Sequence, residues 1–183
     1  MLTAGVDIGS LATKVVILEA DNSRILASVC LPSGPRPAEA RRAALAEALG
    51  AAGVVASDLA AIVSTGYGRG GLEHGQGSVT EISCAARGAH LLDPAVRTVF
   101  DIGGQDSKVV RLDKDGYPTN FALNDRCAAG TGRFLEVMAQ ALGASVEKLD
   151  DLAMSAESPV TISRTCTVFA ESEVVGLLAR EVE

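Results

Sequence analysis

The most informative pattern along the chain is a thirteen-residue arrangement of apolar and polar positions that occurs twice. Residues 6–18 and 100–112 each contain an apolar run that ends in Asp-Ile-Gly, a short turn, and a β-branched run after a lysine. Apolar runs joined by a tight glycine turn are typical of β-hairpins. We therefore predict two equivalent hairpins, formed by strands 4–8 and 13–18 and by strands 96–102 and 107–112.

The rest of the pattern predicts alternating strands and helices. Each hairpin is followed by a polar turn and a third apolar strand, at residues 24–30 and 117–123. Apolar residues at helical spacing then predict a helix over residues 38–52, with Gly53 as its C-terminal cap. A strand that follows a crossover helix is expected to be parallel to its neighbour. The remaining predicted elements are strands at 59–64 and 159–163 and helices at 81–92, 132–142, 146–154 and 170–180.

The repeat also predicts the domain organisation. Because the pattern of the first half restarts at residue 96, we predict one lobe over residues 1–95 and a second over residues 96–183. Equivalent positions lie 94 residues apart. A second lobe of equal length would extend beyond Glu183, so this lobe is expected to be incomplete at its C-terminal end.

Composition narrows the functional classes. The chain is 48% hydrophobic but only 3% aromatic and contains no tryptophan, so its core must consist mainly of Ala, Val, Leu and Ile. A net charge of −7 argues against a nucleic-acid partner. No apolar run is long enough to span a membrane, and no secretion signal precedes the first strand. We expect a cytoplasmic protein whose four cysteines are thiols or metal ligands rather than disulfides.

The two glycine turns are candidate binding sites for the phosphates of a nucleotide. Backbone N–H groups in a turn can bind an anion when glycine lets the ligand approach closely. Two equivalent turns suggest two half-sites for one ligand, although a glycine hairpin can also be only a turn. Hydroxyl and ammonium groups beside the turns, including those of Ser107 and Lys108, would add donors. The candidate cofactor-binding residues are Gly9, Ser10, Thr13, Lys14, Gly103, Gly104, Asp106, Gly130, Thr131 and Gly132.

The acids at the two turns indicate a cation. Asp7 and Asp101 would place negative charge beside an anion, which is favourable only if Mg²⁺ lies between them and the phosphates. Gln105 or Asp106 could orient a water for hydrolysis. The catalytic candidates are therefore Asp7, Asp101 and Gln105. The sequence contains neither the P-loop pattern nor the dinucleotide-binding glycine fingerprint.

The four cysteines fall into two classes. Cys30 lies in an apolar strand and Cys84 in a helix of small residues, which predicts buried structural positions for both. Cys127 and Cys166 each lie near an arginine and ahead of a predicted helix, where a thiolate is stabilised. They are candidate metal ligands, although a structural role stays equally open from spacing alone. Two thiolates cannot complete a four-ligand site, whereas two copies of the chain could do so on a twofold axis.

Several motifs together resemble one family. The chain resembles the activator ATPases of 2-hydroxyacyl-CoA dehydratases. The motifs that carry this resemblance are residues 101–106, 124–134 and 165–173, together with residues 7–10 and 65–69. The ATPase subunits of benzoyl-CoA reductase belong to the same BadF/BadG/BcrA/BcrD family. The resemblance implies an α/β fold of the actin/sugar-kinase/Hsp70 type, with two ribonuclease-H-like lobes and a nucleotide cleft.

The resemblance also implies a mechanism. It implies a homodimer bridged by one [4Fe–4S] cluster, held by Cys127 and Cys166 of each subunit. ATP binding and hydrolysis would then drive a conformational change that passes a low-potential electron to a dehydratase or reductase partner, with ferredoxin or flavodoxin as the electron donor. Family members continue past the position of Glu183 with a helix and a Gly-Gly motif that contacts adenosine. No such motif is present here, so this contact is expected to be missing.

Two other functions stay open at this point. One is a small-molecule kinase on the same fold, which would not need Cys127 or Cys166. The other is a truncated nucleotide-binding module without turnover. Iron and labile sulfide in the purified protein would separate the activator from the kinase, and ATPase activity would separate it from the module.

Overall fold

The computed structural model describes residues 1–71 and 77–182 and contains two compact units. The first unit comprises Met1–Arg97 and Arg111–Thr119, and the second comprises Thr98–Val110 and Asn120–Glu183. The first continuous stretch ends at Arg97, and the lobe boundary between residues 95 and 96 stays a prediction. The segment 111–119, which contains the distal end of the second repeat, lies with the first unit instead of the second.

The first unit is built on a mixed sheet with strand order β3-β2-β1-β4-β5. Strand β1 pairs antiparallel with β2, which pairs antiparallel with β3, and β4 lies parallel to β1. The predicted first hairpin and the parallel crossover are therefore confirmed. The strands are β1 (Leu2–Ile8), β2 (Ala12–Glu19), β3 (Arg24–Pro32), β4 (Leu59–Thr65) and β5 (Gly77–Ser78).

The core of the first unit lies between this sheet and helix α1 (Pro37–Ala52). Alternate side chains of the central strands, among them Val6 and Val15, face the helix and are almost completely buried. Ala44 and Ala48 face them from the helix, and their small size allows close packing between helix and sheet. Gly53 ends the helix in the left-handed conformation, as predicted, with φ of 69°.

The second repeat forms a three-stranded sheet with order β6-β7-β8. Its strands are β6 (Thr98–Ile102), β7 (Ser107–Leu112) and β8 (Pro118–Asn124), which confirms the second predicted hairpin. In the second unit, helix α3 (Gly132–Ala141) packs on α5 (Thr167–Leu178) through Met138, Ala170 and Val174. Among the described residues no helix is both long and apolar enough to cross a bilayer. The other helices are α2 (Glu81–Leu92), α3 (Gly132–Ala141), α4 (Leu149–Ser155) and α5 (Thr167–Leu178).

The strand predicted at residues 159–163 does not form. Pro159 has no backbone N–H to contribute to a ladder. At the other end, the Ser163 N–H donates to the Glu173 Oε2 at 2.6 Å, so a side chain of α5 takes the place of a strand partner. Ile162 packs against the cluster between α3 and α5. The apolar residues of this segment therefore anchor a loop instead of extending a sheet.

The turn between β7 and β8 is fixed to α2 inside the first unit. The Arg87 guanidinium lies 4.8 Å from the centre of the Tyr117 ring and donates to the Asp115 carbonyl oxygen. Gly116 has φ of +79°, and a Cβ at this position would lie 2.6 Å from the His90 Cβ. Asp113 accepts the Tyr117 and Asp115 N–H groups, which lowers the pKa of its carboxyl group.

We expect Gly116→Ala to lower the free energy of unfolding more than Gly143→Ala. Both glycines have positive φ, which costs an alanine about 1–2 kcal/mol, but nothing lies within 4 Å of a Cβ at Gly143. At Gly116 the overlap with His90 adds about 1–3 kcal/mol. Urea denaturation followed by circular dichroism measures the difference. Equal losses in the two variants would show that the turn is not held against α2.

Candidate functional site

The first turn is closed by one backbone hydrogen bond, and a serine side chain bonds its glycine carbonyl from outside. The Gly9 N–H donates to the Ala12 carbonyl oxygen at 3.1 Å, and a Cβ at Gly9 would lie only 2.7 Å from that oxygen. Ser33 Oγ donates to the Gly9 carbonyl oxygen at 2.7 Å and shares a 2.9 Å hydrogen bond with Thr13 Oγ1. Lack of space therefore explains the glycine. The supporting role of Ser33 was missed because its Pro-Ser-Gly context indicates only the end of a strand.

The second turn reproduces the first in its backbone. The Gly103 N–H donates to the Asp106 carbonyl oxygen at 2.8 Å, which is the same hydrogen bond at the equivalent positions of the repeat. Asp106 occupies the position of Ala12 in the first copy. The two turns therefore have the same shape but carry different charges.

An ion pair lies beside each turn. In the first hairpin, Lys14 Nζ lies 2.9 Å from Asp7 Oδ2, and the lysine side chain is half exposed. In the second, Lys108 Nζ lies 2.8 Å from Asp106 Oδ2 and 3.6 Å from Asp101 Oδ2, and its side chain is only 7% exposed. The second group has two carboxylates for one ammonium group. This excess negative charge is an environment that a cation would stabilise.

Helix α3 begins on the second turn. The Gly132 N–H donates to the Gly103 carbonyl oxygen at 2.8 Å, and the Arg133 N–H donates to the Gly104 carbonyl oxygen at 3.1 Å. Ser107 Oγ donates to the Gly130 carbonyl oxygen at 2.5 Å. The turn, strand β7 and the start of α3 therefore form one hydrogen-bonded structure.

The predicted phosphate ligands differ in accessibility. Ser10 and Gln105 are exposed, each in its own turn. Thr13 and Thr131 are buried, and their hydroxyl groups bond Ser33 Oγ and the Ala128 carbonyl oxygen, so both support their loops from inside. Direct contact of either threonine with a ligand stays a prediction. A depression of about 360 Å³ on the second sheet brings together, among others, Asp101, Ser107, Lys108 and Gly130.

The loop after β4 is held against the end of β1. The Gly68 N–H donates to the Ile8 carbonyl oxygen at 2.9 Å, and Ser64 Oγ donates to the Arg69 carbonyl oxygen at 3.0 Å. Gly66 has φ of +87°, and a Cβ there would overlap Asp7 Oδ1 and lie 2.6 Å from the Ile8 carbonyl oxygen. The two glycines of this motif therefore let the loop approach the acid of the first hairpin.

One buried hydroxyl group at this place lacks a partner. Thr65 lies opposite Asp7 in the parallel pairing of β4 with β1. Its Oγ1 is buried and makes no hydrogen bond with the described residues. An unsatisfied hydroxyl group beside a carboxylate fits a position that a bound ligand, or a water held by it, would complete.

The candidate cysteine ligands both lie in the second unit. Cys127 is half-buried in the loop before α3, where Asn124 Nδ2 donates to the Cys127 carbonyl oxygen at 3.0 Å and lies 3.4 Å from that of Ala129. Cys166 is half-buried as the N-cap residue of α5, and the Thr167 Oγ1 next to it is buried and has no hydrogen-bond partner in the part of the chain that the structure describes. Asn124 stands in the motif read from the sequence, but nothing in the sequence assigns it this contact.

The other two cysteines differ from each other. Cys84 is half-buried in α2, whereas Cys30 is exposed. The prediction that Cys30 is buried is wrong, because it lies opposite Lys14 in the pairing of β3 with β2 and faces away from α1. All four cysteines are free thiols. Within residues 1–71 and 77–182 no group of three or more potential metal-binding side chains occurs.

Comparison with known proteins identifies the family. The model of the BadF/BadG/BcrA/BcrD ATPase family matches residues 4–182. The chain belongs to this family. It is 44% identical over its whole length to the 2-hydroxyisocaproyl-CoA dehydratase activator of Clostridioides difficile, of which it covers 68%.

Two solved structures of the same family confirm the fold. Component A of the (R)-2-hydroxyglutaryl-CoA dehydratase of Acidaminococcus fermentans superposes with a TM-score of 0.94 at 43% identity, over 100% of this chain and 70% of that one. The activator of the 2-hydroxyisocaproyl-CoA dehydratase from Clostridium difficile, with bound ADPNP, superposes with a TM-score of 0.91 at 43% identity. This superposition covers 99% of this chain and 67% of that one. The predicted actin/sugar-kinase/Hsp70-type α/β fold is thus confirmed. This chain spans about two thirds of the length of these relatives.

The unequal ion pairs predict unequal effects of two matched substitutions. Lys108→Met leaves Asp101 and Asp106 without the ammonium group between them, and we expect a loss of about 1–3 kcal/mol in the free energy of unfolding. This is less than for a fully buried pair because both carboxylates are about one-third exposed. Lys14→Met removes a surface pair and should cost less than about 1 kcal/mol. Urea denaturation at pH 7 compares the free energies of unfolding of the two variants. Equal small losses would contradict the conclusion that Lys108 is buried between two carboxylates.

Proposed function

We propose that this family member is an ATP-dependent activator that passes an electron to a 2-hydroxyacyl-CoA dehydratase. The observation that carries the proposal is the continuous hydrogen-bonded structure from the second turn to the Cys127 loop. It joins a candidate phosphate site to a candidate cluster ligand within one compact unit. The similarity over the full chain to a dehydratase activator supports the same role.

The nucleotide is proposed to bind through its phosphates at the two turns. The Gly9 and Gly103 N–H groups are used inside the turns, so the N–H groups of the residues that follow, from Ser10 and from Gly104, are the candidate phosphate donors. Ser10 adds an exposed hydroxyl group. A family relative with a comparable fold was solved with bound ADPNP, which supports nucleotide binding here.

Asp7 and Asp101 are proposed to hold Mg²⁺ through water. Each carboxylate already contacts a lysine, so it is oriented without being buried, and oxygen ligands suit Mg²⁺. The buried Thr65 Oγ1 beside Asp7, which has no partner within residues 1–71 and 77–182, is a further acceptor or donor for such a water. Gln105, exposed in the second turn, is proposed to orient the water that attacks the terminal phosphate.

Cys127 and Cys166 are proposed to hold one [4Fe–4S] cluster together with the same residues of a second subunit. The donor set fits a shared site, since two thiols from each of two chains supply the four thiolates that such a cluster needs. Val168 and Phe169, which follow Cys166 in α5, are 67% and 59% exposed. Apolar side chains exposed beside a ligand are suited to a subunit interface.

A bound [4Fe–4S] cluster would supply one-electron transfer at low potential. Each subunit's own part would be to supply two of the four thiolates, from Cys127 and Cys166, with Thr167 Oγ1, which has no partner among the described residues, as a donor beside Cys166. We propose ferredoxin or flavodoxin as the electron donor. The alternative acceptor is a benzoyl-CoA-reductase-type partner, and a cytoplasmic location would suit a site that depends on reduced thiols.

The cluster assignment predicts the iron content of three variants. Anaerobically prepared wild-type protein should contain about four iron atoms per dimer, the content of one [4Fe–4S] cluster. Cys127→Ala and Cys166→Ala should each lose most of this iron, whereas Cys30→Ala, which changes an exposed thiol of the other unit, should retain it. Iron and labile-sulfide determination, with size-exclusion chromatography for the dimer, makes the comparison. Iron-free wild-type protein would exclude the activator role.

Nucleotide state should change the exposure of the cluster. Because the second turn is bonded to the loop that carries Cys127, a ligand on the turn should move that loop. We expect the rate of iron removal by a chelator and the reduction potential of the cluster to differ between the ADP and ADPNP forms. Identical rates and potentials in both forms, with nucleotide binding verified, would contradict ATP-driven electron transfer.

A further inference from the structure

We infer that Ser107 and Asn124 are positioning residues that fix the Cys127 loop, Ser107 to the strand beside the second turn and Asn124 to the end of β8. Both side chains donate to backbone carbonyl groups of the loop between β8 and α3. Ser107 starts β7 and reaches Gly130 at 2.5 Å, and Asn124 ends β8 and reaches Cys127 at 3.0 Å. The expected effect of nucleotide on Cys127 rests on the proposed function, but the positioning role of the two residues does not.

These two side-chain donors hold the loop near its two ends. Asp125 and Arg126 are exposed, and Gly130 adopts φ of +87° with no heavy atom within 4 Å of where a Cβ would lie. Inside the loop, the Thr131 N–H and Oγ1 both bond the Ala128 carbonyl oxygen at 3.0 and 2.7 Å, which closes a local turn but does not attach it to the sheet. The attachment comes from Asn124 on one side of this turn, and from Ser107 and the Gly132 N–H on the other.

The duplicated hairpin uses the equivalent hydroxyl group differently. Thr13 holds the position of Ser107 in the first copy, and its Oγ1 bonds Ser33 Oγ, which in turn donates to the Gly9 carbonyl oxygen. That hydroxyl group therefore stabilises its own turn. In the second copy the hydroxyl group instead reaches from the strand beside the turn to the segment that follows Cys127. The difference between two copies of one motif points to a specific role for Ser107.

The two candidate ligands should therefore respond unequally to the second turn. The Cys166 carbonyl oxygen accepts the Ala170 N–H inside helix α5. Over the described ranges, no hydrogen bond joins Cys166 to the second turn, so it can respond only through the packing of α3 on α5. Cys127, in contrast, is connected through Asn124, Ser107 and the start of α3.

Alkylation of the four cysteines in the full chain, prepared without iron, tests whether Ser107 and Asn124 position the Cys127 loop. Iodoacetamide labelling followed by peptide mass spectrometry gives a rate for each thiol. Ser107→Ala and Asn124→Ala each remove one donor without adding a charge, and we expect Cys127 to react about 2- to 10-fold faster, the factor that corresponds to one neutral hydrogen bond. Cys166, Cys30 and Cys84 should keep their wild-type rates. Ser107→Thr, which restores a hydroxyl group, should return Cys127 towards the wild-type rate.

Ser155→Ala is the matched control, because Ser155 Oγ also donates to a backbone carbonyl oxygen, that of Leu152 in the exposed helix α4. It should leave all four rates unchanged. An unchanged Cys127 rate in both variants would overturn the inference. So would an equal rise at Cys127 and Cys166, or a rise at all four thiols, since each would show that the bonds only stabilise the fold.

A second arm adds Mg·ADP or Mg·ADPNP, with binding measured separately by equilibrium dialysis. In the wild type, bound nucleotide should change the Cys127 rate at least 2-fold more than the Cys166 rate. In Ser107→Ala this difference should disappear while binding persists. Binding without any selective change at Cys127 would overturn the inference. Absence of binding would contradict the proposed function instead, and the first arm would still decide the positional role.

Discussion

The structure depends on one backbone hydrogen bond that occurs twice. In each hairpin a glycine N–H, of Gly9 or Gly103, donates to the carbonyl oxygen three residues later and closes the turn. The carbonyl oxygen of the same glycine accepts a hydrogen bond from outside the turn. In the first unit that bond comes from Ser33 Oγ, and in the second it comes from the Gly132 N–H at the start of α3. The same turn is thus attached to a strand end in one unit and to a helix in the other.

This difference in attachment is accompanied by a difference in charge. Asp106 adds a second carboxylate to the second hairpin, where Ala12 stands in the first, and Lys108 lies buried between two acids. The first hairpin keeps a single, half-exposed pair of Asp7 and Lys14. A charged group that is buried and bonded on two sides has little freedom to turn towards a ligand. The second lysine is therefore better suited to orienting its acids than to binding phosphate, whereas Lys14 stays accessible.

The sequence predicts the elements well because its repeat combines two local signals, hydrophobic periodicity and glycine turns. It could not predict the burial of equivalent positions, which depends on what covers each sheet. Val6 and Ile8 are 2% and 3% exposed under α1, but their equivalents Phe100 and Ile102 are 74% and 63% exposed. Cys30 was misjudged for the same reason. The strand predicted at 159–163 is wrong because Ile162 packs against the cluster between α3 and α5 and the Ser163 N–H bonds Glu173, and periodicity does not report either contact.

The site shows the same division between local and long-range information. Candidate residue types such as Asp7, Gly103 and Cys127 can be read from their own motifs, because each motif carries its chemistry locally. The residues that support these motifs cannot be read in the same way. Ser33 and Asn124 donate to backbone carbonyl groups of loops, and only the folded chain defines the position of those loops. A duplicated motif can keep the chemistry of its turn while its supporting contacts diverge. In this chain that divergence, more than the turn itself, is what distinguishes the unit that carries Cys127 and Cys166 from the unit that does not.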